Sequence, residues 1–166
     1  MKTQLQRPSL VPEQRAEPGG TREDFWWLLM QVGTLSRRVA ERRLASAGTS
    51  PDQVQALRAI YARDRMTVGE LARSMGLERN SASQLAERLV QQELIERVRS
   101  TGDRRQVFVA LSQDGRALLN ASEPDTTGLT DELLAGLSQS QIDDSARVLE
   151  TIREAAGEVL RSVAGH

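Results

Sequence analysis

Apolar and polar positions change period several times along this chain, and each change marks an element. From Thr21 to about Ala47, Phe25, Leu28, Leu29, Val32, Leu35, Val39 and Leu44 recur at helical spacing and form one broad apolar stripe. Thr21 can cap this helix, Glu23 and Asp24 suit the positive end of its dipole, and Gly48 ends it. Arg37, Arg38, Glu41, Arg42 and Arg43 read as its solvated face. Trp26 and Trp27 sit roughly 100° apart on a helix, so they cannot face one surface together. Ser50-Pro51-Asp52-Gln53 opens a second helix with an N-cap serine, a proline at the first turn and a capping-box glutamine. Val54, Leu57, Ala59, Ile60 and Tyr61 are its expected buried side, and it should end near Arg63 to Arg65. At the far end Ser138-Gln139-Ser140-Gln141 opens a final helix. Its apolar stripe of Ile142, Ala146, Leu149, Ile152, Ala156, Val159, Leu160 and Val163 is long enough for a dimer seam or for a monomer core.

The centre of the chain, Thr67 to Ser112, carries the informative pattern. Thr67-Val68-Gly69-Glu70 has the form of a capping box. The short helix it opens puts Leu71 and Met75 on one face, and Gly76 supplies a residue able to end it in the left-handed region. A second helix runs from about Glu78 to Gln92. Ala82, Leu85 and Leu89, bordered by Ala86, form its inner face. Asn80, Ser83, Gln84, Glu87 and Gln91 form its outer face, flanked by Arg79 and Arg88. Two helices joined by a tight glycine-containing turn are the geometry that sets the second into a DNA major groove. Amides can bond adenine bidentately, serine can bond either kind of base, and arginine suits guanine or phosphate. Alone, this face would read first as an ordinary solvated surface.

The residues after Leu94 change that reading. The period there becomes two: Ile95, Arg97 and Arg99 alternate with Glu96, Val98 and Ser100, and Val107, Val109 and Leu111 with Phe108 and Ala110. Between them Ser100-Thr101-Gly102-Asp103-Arg104-Arg105 forms a hairpin with glycine at its tip. From Arg97 to Arg105 there are four arginines against one aspartate. A cationic hairpin beside a polar second helix is a wing able to grip phosphates or enter a minor groove. Past the wing, Ser112 can cap another helix. Pro124 removes an amide from it and Gly128 loosens it, so a kink or break is expected between Glu123 and Thr130.

Composition narrows the classes. The 166 residues suffice for one domain with a real core or one subunit of an intertwined dimer. Net charge is −1, so attraction for nucleic acid has to come from the local field of the wing and not from the whole chain. There is no cysteine, which excludes disulfides, thiol nucleophiles and thiol redox sensing, and the one histidine is His166. No catalytic site, metal site or cofactor is therefore expected, and an enzyme finds no support. No apolar run nears the roughly 20 residues of a membrane span. The N-terminus, with Pro8, Pro12 and Pro18, lacks a signal-peptide core, so a cytoplasmic protein is expected. Residues 1–20 are polar and proline-rich and read as a disordered arm.

The central segment resembles the MarR (multiple antibiotic resistance regulator) family of winged helix-turn-helix transcriptional regulators. The resemblance rests on Leu71-Ala72, Met75-Gly76-Leu77, Leu85, Arg88-Leu89, Leu94-Ile95-Glu96-Arg97, Asp103-Arg104-Arg105, and Leu111-Ser112 with Gly115. With the flanking helices it covers roughly residues 21–160. It implies a mainly α fold with a small β-hairpin wing: an arm (1–20), an N-terminal dimerisation helix (21–48), a winged helix-turn-helix DNA-binding lobe (49–112) and C-terminal dimerisation helices (113–166). The implied partners are double-stranded DNA, a second copy of the chain and a small-molecule effector. Carried onto this sequence, Asn80, Ser81, Ser83, Gln84 and Arg88 are the expected base and backbone contacts. Arg105 is expected in the minor groove, oriented by Asp103, with Arg104 on phosphate. Many relatives carry a basic residue where Gln84 stands, which points the base preference toward adenine. Relatives often release DNA on binding a small aromatic or anionic ligand between the two lobes, and Trp26, Met30 and Tyr61 are the candidate lining residues here. The alternative reading is a winged-helix interaction module that has lost DNA binding.

Overall fold

Helix starts and stops fall where the caps in the sequence put them. The computed structural model describes residues 20–99 and 106–164. The elements in order are α1 (Arg22–Leu44), a 3-10 turn (Ala45–Ala47), α2 (Pro51–Tyr61), β1 (Arg65–Met66), α3 (Val68–Met75), α4 (Arg79–Gln91), β2 (Ile95–Arg99), β3 (Val107–Leu111), α5 (Gln113–Leu134) and α6 (Gln139–Ala164). The expected disordered arm lies outside the described residues, apart from Gly20. The chain divides into two units, Met1–Arg38 and Val39–His166.

In the first unit α1 opens on a reciprocal cap. The Asp24 amide donates to Thr21 Oγ1 at 3.2 Å and the Thr21 amide to Asp24 Oδ2 at 2.8 Å. Phe25, Trp26, Trp27, Leu28, Met30, Val32 and Leu35 are all about half exposed or more, so the described chain does not bury this stripe.

In the second unit the core gathers Leu57 and Ile60 of α2, Met66 of β1, Leu71 of α3, Leu89 of α4 and Val109 of β3. Each such side chain contributes roughly 1.5–3 kcal/mol on burial. Leu44, at the end of α1, belongs to this core. Helix α2 has the full capping box: the Gln53 amide donates to Ser50 Oγ at 3.3 Å and the Ser50 amide to Gln53 Oε1 at 3.0 Å. Ala56 is fully buried in α2, whereas Tyr61, expected on the buried side, is 61% exposed. It stands at the last turn of α2, where the chain leaves the core, and the Arg116 guanidinium lies 5.9 Å from its ring centre.

Three helix ends use the left-handed residue of a Schellman turn. Gly48 and Gly76 have φ of 67° and 64°, and beyond them the amides of Thr49 and Leu77 return to Leu44 O and Ala72 O. At the end of α4 the same role falls to Glu93, with φ 59°, and the Leu94 amide returns to Leu89 O at 2.9 Å.

The sheet is antiparallel, in the order β1-β3-β2. The two expected wing strands pair, with Ile95 opposite Leu111, Arg97 opposite Val109 and Arg99 opposite Val107, while the expected turn, Ser100 to Arg105, lies outside the described residues. The third strand was not expected. Arg65 and Met66 pair with Ala110 and Val109, and the Arg65 guanidinium lies 5.0 Å from the Phe108 ring centre.

Helix α5 corrects a second expectation. It runs unbroken from Gln113 through Pro124 and Gly128 to Leu134. Proline removes only its own amide, and hydroxyls bond to carbonyls on both sides of it: Ser122 Oγ donates to Leu119 O at 2.8 Å and Thr126 Oγ1 to Glu123 O at 3.0 Å. Packing then holds the helix, since Leu119, Ser122 and Leu129 are buried on one side of it. The Arg43 guanidinium pairs with Glu132 near its end at 2.6 Å, an exposed pair of small energetic weight.

Helix α6 has the capping box of Ser138 and Gln141. Of its apolar stripe only Ile142 and Ile152 are half-buried, and the rest is exposed. The monomer-core reading of this stripe therefore fails for the described chain.

Candidate nucleic-acid interface

Helix α3 is fixed first. The Glu70 amide donates to Thr67 Oγ1 at 3.2 Å, while the Thr67 amide and hydroxyl donate to Glu70 Oε2 at 2.7 and 2.8 Å. The Thr67 backbone bond, then its hydroxyl, hold the Glu70 carboxyl below its ordinary pKa. Gly76 then turns the chain, and α4 follows after Leu77 and Glu78.

Helix α4 seats Ala82, Leu85, Ala86 and Leu89 in the core. At 100° per residue, Asn80, Gln84, Glu87 and Gln91 fall within roughly 60° of arc on the opposite side. All four are exposed. Ser81 and Arg88, also exposed, lie on one flank, and half-buried Ser83 lies on the other. Arg79 turns away from this row: its Nη2 lies 3.8 Å from where a Cβ on Gly69 would stand, over the first turn of α3. From Asn80 to Gln91 the row spans about 16 Å at 1.5 Å per residue, comparable with the roughly 12 Å width of a major groove.

The wing is anchored by the β2–β3 ladder. Arg97 and Arg99 are exposed on β2. The tip, with Asp103, Arg104 and Arg105, lies outside the described residues.

A lock between the end of α4 and the start of α5 sets the base of the wing. Ser112 Oγ donates to Glu93 O at 2.5 Å and accepts from the Gly115 amide at 2.9 Å, while the Ser112 amide donates to Leu94 O at 3.2 Å. Gly115 packs so closely that a Cβ there would lie 1.9 Å from Leu94 O. The Leu-Ser-x-x-Gly motif is thus a hydrogen-bonded corner that needs its glycine.

The candidate ligand residues belong to different units. In the first unit Met30 lines a shallow apolar groove along α1 with Trp27, Gln31, Thr34 and Leu35, and Trp26 is not in that lining. Tyr61 belongs to the second unit, beside Arg116, whose guanidinium is 3.8 Å from Asp64. Of the tryptophan pair it is Trp27 and not the expected Trp26 that lines the groove, and Arg116 was not expected beside Tyr61. A wheel drawn from Met30 would have found Trp27, whereas no local signal places Arg116 beside Tyr61. Among the described residues no group of three His, Cys, Asp or Glu is placed to hold a metal ion, and no helix is long and apolar enough to cross a membrane.

Residues 47–106 match the model of the MarR family. The HTH-type transcriptional regulator MhqR of Bacillus subtilis is 26% identical over 105 residues, covering 63% of this chain and 72% of that protein. A mutant MarR from E. coli complexed with operator DNA superposes with a TM-score of 0.70 at 21% identity, covering 78% of this chain and 93% of that one. CouR from Rhodococcus jostii RHA1 bound to p-coumaroyl-CoA gives 0.74 at 20% identity, with 79% and 92% covered. The matched region spans α2, the capped α3, the turn, α4 and β2, and over it the chain is similar to the MarR family of winged helix-turn-helix transcriptional regulators.

Proposed function

We propose that the protein is a cytoplasmic, homodimeric repressor of its own and neighbouring genes, bound to a pseudo-palindromic operator and released by a small aromatic or anionic ligand. The observation that carries the DNA-binding part is the outer face of α4: a polar row held outward by four buried residues, beside a wing whose described strand bears Arg97 and Arg99. In this reading residues 49–112 are the DNA-binding lobe. Asn80, Ser81, Ser83, Gln84 and Arg88 meet the major groove and its backbone, and Arg105, with Asp103 and Arg104, serves the wing tip. Residues 21–48 and 113–166 supply the dimer, which is supported by the exposed apolar rows of α1 and α6. The operator-bound MarR and the acyl-CoA-bound CouR support the operator and the ligand respectively. Trp26, Met30 and Tyr61 are the proposed ligand contacts. A ligand releases DNA only if it binds one spacing of the two recognition helices more tightly than the other.

The test is fluorescence anisotropy of DNA from upstream of the protein's own gene against a scrambled control, at two salt concentrations. Tight binding that prefers the upstream DNA and weakens steeply with salt supports the reading. No binding to either DNA at low salt refutes it and leaves the interaction module.

A further inference from the structure

The row that α4 would turn toward the groove has an unusual charge pattern. Asn80, Gln84 and Gln91 are neutral amides, and the single charged group among them is the acid Glu87. The exposed arginine of this helix's outer half, Arg88, stands on the flank, and Arg79 is drawn back over α3. The Glu87 carboxylate meets no cation or hydrogen-bond donor among the described residues. Its position on the wheel, roughly 20° from Asn80 and 60° from Gln84, puts it in the same row and not on the rim.

A carboxylate at that place has a cost and a use. Its cost is repulsion from the phosphates on either side of the groove, which falls on every DNA sequence alike. Its use is selective, because an ionised carboxylate only accepts hydrogen bonds. In the major groove guanine offers N7 and O6, both acceptors, and thymine offers O4 and a methyl, so both reject it. Adenine offers an amino donor with the N7 acceptor beside it, which opposes the second carboxylate oxygen. Cytosine offers the N4 amino donor with only a C–H beside it, which makes it the best match.

We infer that Glu87 is a specificity-determining residue, reading the N4 amino group of a cytosine in each operator half-site while repelling DNA that lacks a donor there. This deepens the DNA-binding reading and rests on it. Gln84 and Asn80, about one and two turns toward the helix start, take adenines, so the half-site should carry adenine and cytosine within one groove segment.

The experiment is selection from a random double-stranded DNA pool with the full chain and with Glu87→Gln and Glu87→Ala, followed by anisotropy on the selected site and on scrambled DNA. Circular dichroism checks that both variants fold, which an exposed position should allow. The wild type should recover a site with a fixed cytosine. Glu87→Gln should admit adenine there, because an amide can donate to N7 as well as accept from N6. Glu87→Ala should accept any base. Both variants should bind scrambled DNA several-fold more tightly and lose roughly tenfold discrimination at that position. If the wild type selects a site and both variants select the same one with equal discrimination, the inference fails and DNA binding stands. Tighter binding to scrambled DNA with no change in the selected site would also overturn it, leaving Glu87 a simple repulsive charge. Failure of the wild type to bind any DNA would overturn both.

Discussion

Alanine at Gly115 and at Gly128 should change stability in opposite directions, although both glycines lie in α5. In a helix interior Gly→Ala is favourable by about 1 kcal/mol, mostly through the entropy of the unfolded chain. At Gly128 nothing lies within 4 Å of the new Cβ, so that gain should appear in full. At Gly115 the new Cβ would stand 1.9 Å from Leu94 O, 2.9 Å from its carbonyl carbon and 3.4 Å from its Cα. An ordinary carbon–oxygen contact is over about 3 Å, so α5 or the Leu94 corner must retreat by more than about 1 Å, and backbone cannot rotate away as a side-chain tip does. Overpacking of this kind costs about 1–3 kcal/mol. The retreat also strains the Ser112 amide bond to Leu94 O and the Ser112 hydroxyl bond to Glu93 O, at about 0.5–1.5 kcal/mol each. Gly115→Ala should therefore destabilise by about 2–4 kcal/mol net. Urea unfolding followed by circular dichroism, at one fixed protein concentration so that self-association could not shift the comparison, measures both variants. Thermal midpoints should rise by about 2–4 °C for Gly128→Ala and fall by several times that for Gly115→Ala. A Gly115→Ala protein as stable as wild type would refute the corner as drawn, and a Gly128→Ala protein less stable than wild type would refute the open space around that residue.

Single residues carry three further expectations. Glu93 sits at φ 59°, which costs an L residue about 1–2 kcal/mol, against a glycine entropy penalty of about 0.5–1 kcal/mol. Glu93→Gly should thus raise the denaturation midpoint modestly, and a fall would mean the side chain holds something else. The Glu70 carboxyl titrates below its ordinary value because Thr67 bonds its ionised form. Its contribution is present above the ordinary carboxylate pKa and lost as pH falls through the lowered one, so the stability gap between wild type and Glu70→Gln should close below about pH 4. A gap that stays constant with pH would contradict the capping role. Arg105→Ala should weaken operator binding by roughly 1–3 kcal/mol in the anisotropy assay, and unchanged affinity would remove the wing tip from the interface.

The sequence by itself determined what is local. Serine and threonine caps at Ser50, Thr67, Ser112 and Ser138 started helices where expected, because a cap bond spans only three residues. Helical period chose Ala82, Leu85, Ala86 and Leu89 as the inner face of α4, and so left Asn80, Gln84 and Glu87 outside. Tertiary structure decided the rest. Arg65 and Met66 are too short a run to read as a strand, and become one only because β3 offers an edge. The proline in α5 reads locally as a breaker, yet the hydroxyls around it and the buried face of Leu119 and Leu129 outweigh one missing amide. Gly115 is legible as a motif letter, but its reason is the carbonyl of a residue 21 positions earlier, brought against it by the α4–β2 corner. The stripes of α1 and α6 are equally apolar on paper to that of α2. Only the fold separates them, since α2 finds its covering surface within the chain and the other two remain exposed. Periodicity records which face is apolar, and what covers that face depends on residues distant in sequence.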